Sequence, residues 1–213
     1  MTDKLTLKCE NLEKKYNGKT IFRNLNLELT EKSSLVVTGK NGSGKSTLLK
    51  IISGLIRADK GILEITKDEK LLPKEEHFKY ISLMSPYLNL YDELTGYENL
   101  EFYFELRNNH NIGKEDKIKF LLELIGLYKR RNDLIRNYSS GMKQRLKLAF
   151  SILHDPPILL LDEPRSNLDN EGIEIVYKIA EKQKNTGILI IATNESEETK
   201  LCESFINIQD FKI

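Results

Sequence analysis

Eight consecutive residues, Gly39-Lys40-Asn41-Gly42-Ser43-Gly44-Lys45-Ser46, follow the order G-x-x-x-x-G-K-[ST]. Glycine lets the main chain curl closely around a polyanion, and the amide N–H groups at a helix start point towards it. In that geometry Lys45 reaches the β- and γ-phosphates of a nucleotide, and the Ser46 hydroxyl is a ligand for Mg²⁺. Gly39, Asn41, Gly42, Ser43, Gly44, Lys45, Ser46 and Thr47 form the candidate phosphate-contacting set. A second segment, Ile158-Leu159-Leu160-Leu161-Asp162-Glu163, ends an apolar run in two carboxylates. Asp162 would hold Mg²⁺ directly or through water, and Glu163 would polarise an attacking water as a general base. Taken singly, the segments also read as a Gly-rich turn before an ordinary helix and as a solvated acidic turn. Together they read as the two halves of a nucleotide site.

Such side chains need a frame. Leu35-Val36-Val37 predicts a short buried strand leading into the loop. Leu48, Leu49, Ile51 and Ile52 predict the apolar face of a helix that opens near Lys45 and stops at Gly54. Leu25, Leu27 and Leu29 alternate with polar residues as in a half-exposed strand, and Ile62–Ile65 and Tyr80–Met84 read as further strands. Ile158–Leu161 and Ile188–Ala192 are uninterrupted apolar runs, the pattern of parallel strands covered on both faces, with a helix around Glu171–Gln183 between them. From about residue 86 to 153 the period becomes helical. Ile118, Leu121, Leu122 and Ile125 are followed by Gly126 as a cap, and Met142, Leu146, Ala149, Phe150 and Leu153 are followed by Asp155-Pro156-Pro157. The pattern is α/β, a mostly parallel sheet with a helical insertion.

Composition narrows the function. The 213 residues suit one large domain or two small ones. Lys and Arg number 33 against 32 Asp and Glu, a net charge of +1 that lacks the basic excess of a general nucleic-acid binder. Cys9 and Cys202 stand far apart and read as reduced thiols. No apolar run approaches the roughly 20 residues of a membrane-spanning helix. The N-terminal MTDKLTLKCE lacks the apolar stretch of a secretory signal, so an intracellular protein is expected.

Tyr138-Ser139-Ser140-Gly141-Met142-Lys143-Gln144-Arg145 resembles the LSGGQ signature of ABC ATPases with its following Gln-Arg. Ser166-Asn167-Leu168-Asp169 looks like that family's D-loop, and Tyr16 stands where the family has an aromatic that stacks on adenine. The resemblance runs from Tyr16 to Asn194 and is similar, in the chain's brevity, to haem-exporter and ABC-2-like subunits. It implies a P-loop NTPase fold of ABC type, a mostly parallel core with N-terminal antiparallel strands and a helical signature subdomain. One ABC ATPase domain over 1–213 is expected, its core at about 1–85 and 154–213 and its helical subdomain at about 86–153. The resemblance further implies ATP and Mg²⁺, and a head-to-tail pair in which Ser139, Ser140, Gly141 and Asp169 of one ATPase subunit complete the other's phosphate site. The implied partner is an integral membrane transporter subunit, with no nucleic acid, and the implied location is cytoplasmic, peripheral at the inner face of the cell membrane; Tyr87–Leu100 falls where such a subunit would dock, and its aromatics and leucines read equally as packing of the helical subdomain. Without the resemblance, Ser139-Ser140 is a plain helix cap.

Two positions depart from the family pattern. Ser85 stands where the family carries a Gln that touches Mg²⁺, and Asn194 where it carries a His that grips the γ-phosphate. Asn donates a hydrogen bond without a charge, and losing a charge-assisted contact to the transferring phosphate lowers turnover by about 10- to 1000-fold. The expectation is slow hydrolysis by Lys45, Glu163 and Asn194 in an ATPase that drives transport. The alternatives are a soluble ATP-dependent dimerisation switch or assembly factor with little turnover, and the weakly active half of a heterodimeric ATPase pair.

Overall fold

A computed structural model describes residues 4–107, 113–195 and 197–212, so Met1–Asp3 of the N-terminal stretch lie outside the described residues. The chain runs through β1 (Leu5–Tyr16), β2 (Lys19–Thr30), β3 (Ser34–Thr38), α1 (Lys45–Ile52), β4 (Lys60–Lys67), β5 (Lys70–Leu71) and β6 (Ile81–Met84). Helices α2 (Gly96–Arg107), α3 (Lys114–Leu124) and α4 (Ser140–Ser151) follow, then β7 (Ile158–Asp162), α5 (Asn170–Thr186), β8 (Ile188–Ala192) and β9 (Ser204–Asn207). The chain divides into two compact units, 1–83 with 157–163 and 180–213, and 84–156 with 164–179.

In the first unit an antiparallel sheet has the order β2-β1-β4-β5, and a five-stranded sheet has the order β6-β7-β8-β3-β9. β1 turns into β2 through Asn17 and Gly18, both at positive φ (49° and 77°), the two-residue turn whose twist suits paired strands. β1 is an element that sequence reasoning missed, although Leu5, Leu7 and Cys9 alternate and are buried, and Asn17-Gly18 is a hairpin signal. β7 and β8 are buried along their whole length, as their unbroken apolar runs predict. β8 pairs in parallel with β7 on one side and β3 on the other, with Ala192 level with both Asp162 and Val37. Three adjacent strands therefore end together, each delivering a loop at the same sheet edge.

Both sheets and α1 share one core that includes Leu7, Phe22, Leu25, Leu49, Ile65, Leu160 and Ile190. Leu160 is fully buried in β7. Leu160→Ala is expected to cost about 3–5 kcal/mol, because the surrounding strands cannot collapse into the space left. Urea unfolding should show the midpoint falling with the slope unchanged.

The second unit is helical. α3 buries Ile118, Leu121 and Leu122 and closes at Gly126, which has φ 68° and donates its N–H to Glu123 C=O at 3.0 Å. Leu127 N–H donates to Leu122 C=O at 2.8 Å and completes the cap expected at this glycine. α4 stops at Ser151, two residues before the end that Leu153 suggests, and Leu153 N–H instead bonds Phe150 C=O in a turn. Residues 164–179, expected with the core, group with this unit. The ties are local: Gln144 Nε2 donates to Pro164 C=O, and Arg145 reaches Glu171 at 3.5 Å. No helix among the described residues is long and apolar enough to cross a membrane.

Candidate active site

The loop after β3, the acidic end of β7 and the loop after β8 converge at one edge of the parallel sheet, where open α/β folds bind ligands. Gly44 precedes α1 at φ 115°, and a side chain there would run into Ile21. Gly39 sits at φ 141°, and a Cβ would lie 2.7 Å from Ser43 Oγ and 2.8 Å from Ile208. Backbone direction and crowding both demand glycine, so the two positions hold the loop tight against Ile21 of β2 and against Ile208.

Lys45, the first residue of α1, is 5% exposed. Its Nζ donates to Gly39 C=O and to Asn194 Oδ1, both at 2.8 Å, and stands 3.3 Å from Glu163 Oε1. Asn194 Nδ2 donates in turn to Asn41 Oδ1 on the loop. Ser46 Oγ donates to Asp162 Oδ1 at 2.9 Å. Asp162 is almost fully buried, which pushes its carboxyl above the usual range; the Ser46 hydroxyl opposes that rise and the neighbouring Glu163 adds to it. Glu163 adopts φ 49°, unusual for a side chain of this size, and its N–H donates to Ala192 C=O at 2.9 Å. A strained backbone at the strand end turns this carboxylate aside from Asp162.

These residues fit a Mg²⁺–nucleotide. Ser43 Oγ is buried in the loop without a hydrogen-bond partner among the described residues, an orphan hydroxyl that a Cβ at position 39 would crowd at 2.7 Å. Ser46 and Asp162 supply two hard oxygens, and Mg²⁺ takes one or two carboxylates alongside phosphate oxygens and water. Among the described residues no group of three or more His, Cys, Asp or Glu forms a self-sufficient metal cage. Thr47 follows on the first turn of α1.

Tyr16 is 46% exposed at the end of β1. Lys14 Nζ lies 5.2 Å from its ring centre, held by Arg57 C=O at 2.9 Å and Asp59 at 3.0 Å. Sequence reasoning did not single out Lys14 or the Asn41–Asn194 bond; the partners lie 43 and 153 residues apart, and no local pattern links them.

The remaining predicted residues belong to the helical unit. Ser139 caps α4, its Oγ accepting Met142 N–H at 3.2 Å, with Ser140 and Gly141 as the first helical residues. A Cβ on Gly141 would stand 2.9 Å from Asn167 C=O, so the serine turn and the 166–169 loop are in close contact. Asp169 Oδ1 accepts Gly172 N–H at 2.9 Å and caps α5. Ser85 is buried, and its hydroxyl accepts Tyr87 N–H at 3.3 Å.

The profile of the family described as "ABC transporter" matches residues 22–166. An uncharacterised ABC transporter ATP-binding protein of Bacillus subtilis is 33% identical over 213 residues, covering 99% of this chain and 69% of the relative. The bacitracin transport ATP-binding protein of Bacillus licheniformis is 31% identical over 211 residues, 97% of this chain and 68% of the relative. Among solved structures, a dimeric ATP-binding cassette in a post-hydrolysis state bound to ADP and Pi is similar, with a TM-score of 0.83, 25% identity and 95% of each chain covered.

Proposed function

Since this chain belongs to the ABC transporter ATP-binding family, we propose that it hydrolyses ATP to power transport through a separate integral membrane subunit, working at the cytoplasmic face. In this reading it pairs head-to-tail with a second ATPase subunit when MgATP binds. The observation that carries the reading is the convergence on Lys45 of the phosphate loop, the end of β7 and the end of β8. Lys45 would hold the β- and γ-phosphates while the loop amides, with Ser43 and Thr47, wrap the same groups. Mg²⁺, when bound, would offset charge on the phosphate oxygens, and Ser46 and Asp162 would hold it. Glu163 would orient and deprotonate the attacking water. Tyr16 would stack on the base, and Ser139, Ser140, Gly141 and Asp169 would complete the phosphate site of the paired subunit.

Asn194 carries no charge, which supports slow turnover and keeps a second reading alive, a soluble switch that dimerises on ATP and hydrolyses little. Co-purification from gently solubilised membranes separates the two. The transport reading expects a polytopic membrane chain in stoichiometric amount with the tagged protein. Recovery only from the soluble fraction, as an ATP-dependent dimer without a membrane chain, would establish the switch instead.

A further inference from the structure

We propose that Asn194 and Asn41 form a positioning clamp for Lys45, a neutral relay that aims the ammonium. The inference rests on the ATPase reading above and concerns the same site. An ammonium offers three N–H donors and accepts nothing, so the group facing it from Asn194 must be the amide oxygen. That choice leaves the Asn194 NH₂ pointing at Asn41, whose own oxygen must accept. The hydrogen bonds therefore run in one direction, from Lys45 to Asn194 to Asn41. The relay ties the loop after β8 to the tip of the phosphate loop, and Lys45 is fixed at 2.8 Å from both Asn194 and Gly39 C=O.

The third oxygen near the ammonium is Glu163 Oε1, at 3.3 Å, longer than the two neutral contacts. Glu163 is the group that would take a proton from water, and Lys45 faces its Oε1 alone, which leaves the second carboxylate oxygen for that task. With Gly39 C=O and Asn194 Oδ1 filling two of the three donors of the ammonium, only one N–H is left for Glu163, and the position of Lys45 is set mainly by neutral oxygens. An imidazolium at position 194 could not do this, because it has no acceptor to offer an ammonium. Asn194 is thus a different device from the charged residue the family usually places here, and Asn41 acts only through it.

The test is a double-mutant cycle on the full chain, with Asn41→Ala, Asn194→Ala and the pair, reading kcat and KM for MgATP and the dissociation constant of a fluorescent ATP analogue. Both side chains are exposed, so thermal midpoints should match the wild type. Each single change should lower kcat by roughly five- to twentyfold with KM moving less than about threefold, because orientation is lost more than binding. The double variant should fall within about twofold of Asn194→Ala alone, the sign of two residues acting in series. Losses that multiply would overturn the clamp. So would an Asn194→Ala effect confined to KM and the dissociation constant, which is the mark of a direct phosphate contact. A wild-type chain that binds no MgATP would overturn the ATPase reading itself and the clamp with it, whereas a wild-type chain that binds and multiplies its losses overturns the clamp alone.

Discussion

Glu163→Gln should lower ATP turnover by about 100-fold or more while leaving MgATP binding within a few-fold of the wild type. The amide keeps the size of the carboxylate and still offers Lys45 an oxygen at the position now 3.3 Å away, so the loop and the lysine have no reason to move. What disappears is the carboxylate charge and, with it, a basic oxygen able to receive a proton from water. The backbone supports the separation of roles. Asp162 ends β7 in register with Ala192, whereas Glu163 turns away at φ 49° and is held by its own N–H bond to Ala192 C=O at 2.9 Å. Holding a glutamate in that region costs on the order of 1–3 kcal/mol, which the packed strand ends must supply. If the paired arrangement is correct, the variant should also accumulate as a MgATP-dependent dimer on size-exclusion chromatography, since hydrolysis no longer releases it. Turnover equal to the wild type would remove Glu163 from the role of base and leave it as a structural partner of Lys45.

The parts of this molecule that sequence made visible are those whose physics is local. The phosphate loop is contiguous, and β3, β7 and β8 announce themselves because strands buried on both faces carry unbroken apolar runs, Leu35–Val37, Ile158–Leu161 and Ile188–Ala192. α1 and α3 were legible through their periodic apolar faces, and the serine cap of α4 through its residue types. β1 was hidden for a physical reason. Its ladder with β2 shifts register between Cys9 and Leu12 and again between Leu12 and Lys14, and Asn11 takes φ 50°, so the two-residue period breaks in mid-strand. The Asn194–Asn41 bond and the Lys14–Tyr16 contact were hidden differently, because they depend on which strand ends the fold brings side by side. Asn194 is informative from sequence only as a departure; its partner Lys45 follows from β8 lying between β3 and β7.

Lys45→Ala should weaken MgATP binding by about 30- to 1000-fold, equivalent to roughly 2–4 kcal/mol, and so differ in kind from Glu163→Gln. Lys45 is a nearly buried cation, and its three oxygen partners come from three different segments of the first unit. Such a group contributes little to stability, because the cost of desolvating the ammonium offsets its contacts. After truncation Glu163, 27% exposed at its side chain, can be solvated, and Asn194 keeps its bond to Asn41. The thermal midpoint is therefore expected to stay close to the wild type while the charge that meets the phosphates is gone. Lys45→Arg should not restore binding. The acceptors Gly39 C=O and Asn194 Oδ1 lie 2.8 Å from a single nitrogen, a geometry for a compact ammonium that a planar guanidinium fork cannot reproduce. Titration of a fluorescent ATP analogue against the two variants reads both claims. Wild-type affinity in Lys45→Ala would mean that the loop's amides hold the phosphates alone, and the convergence on Lys45 would then serve the stability of the three strand ends.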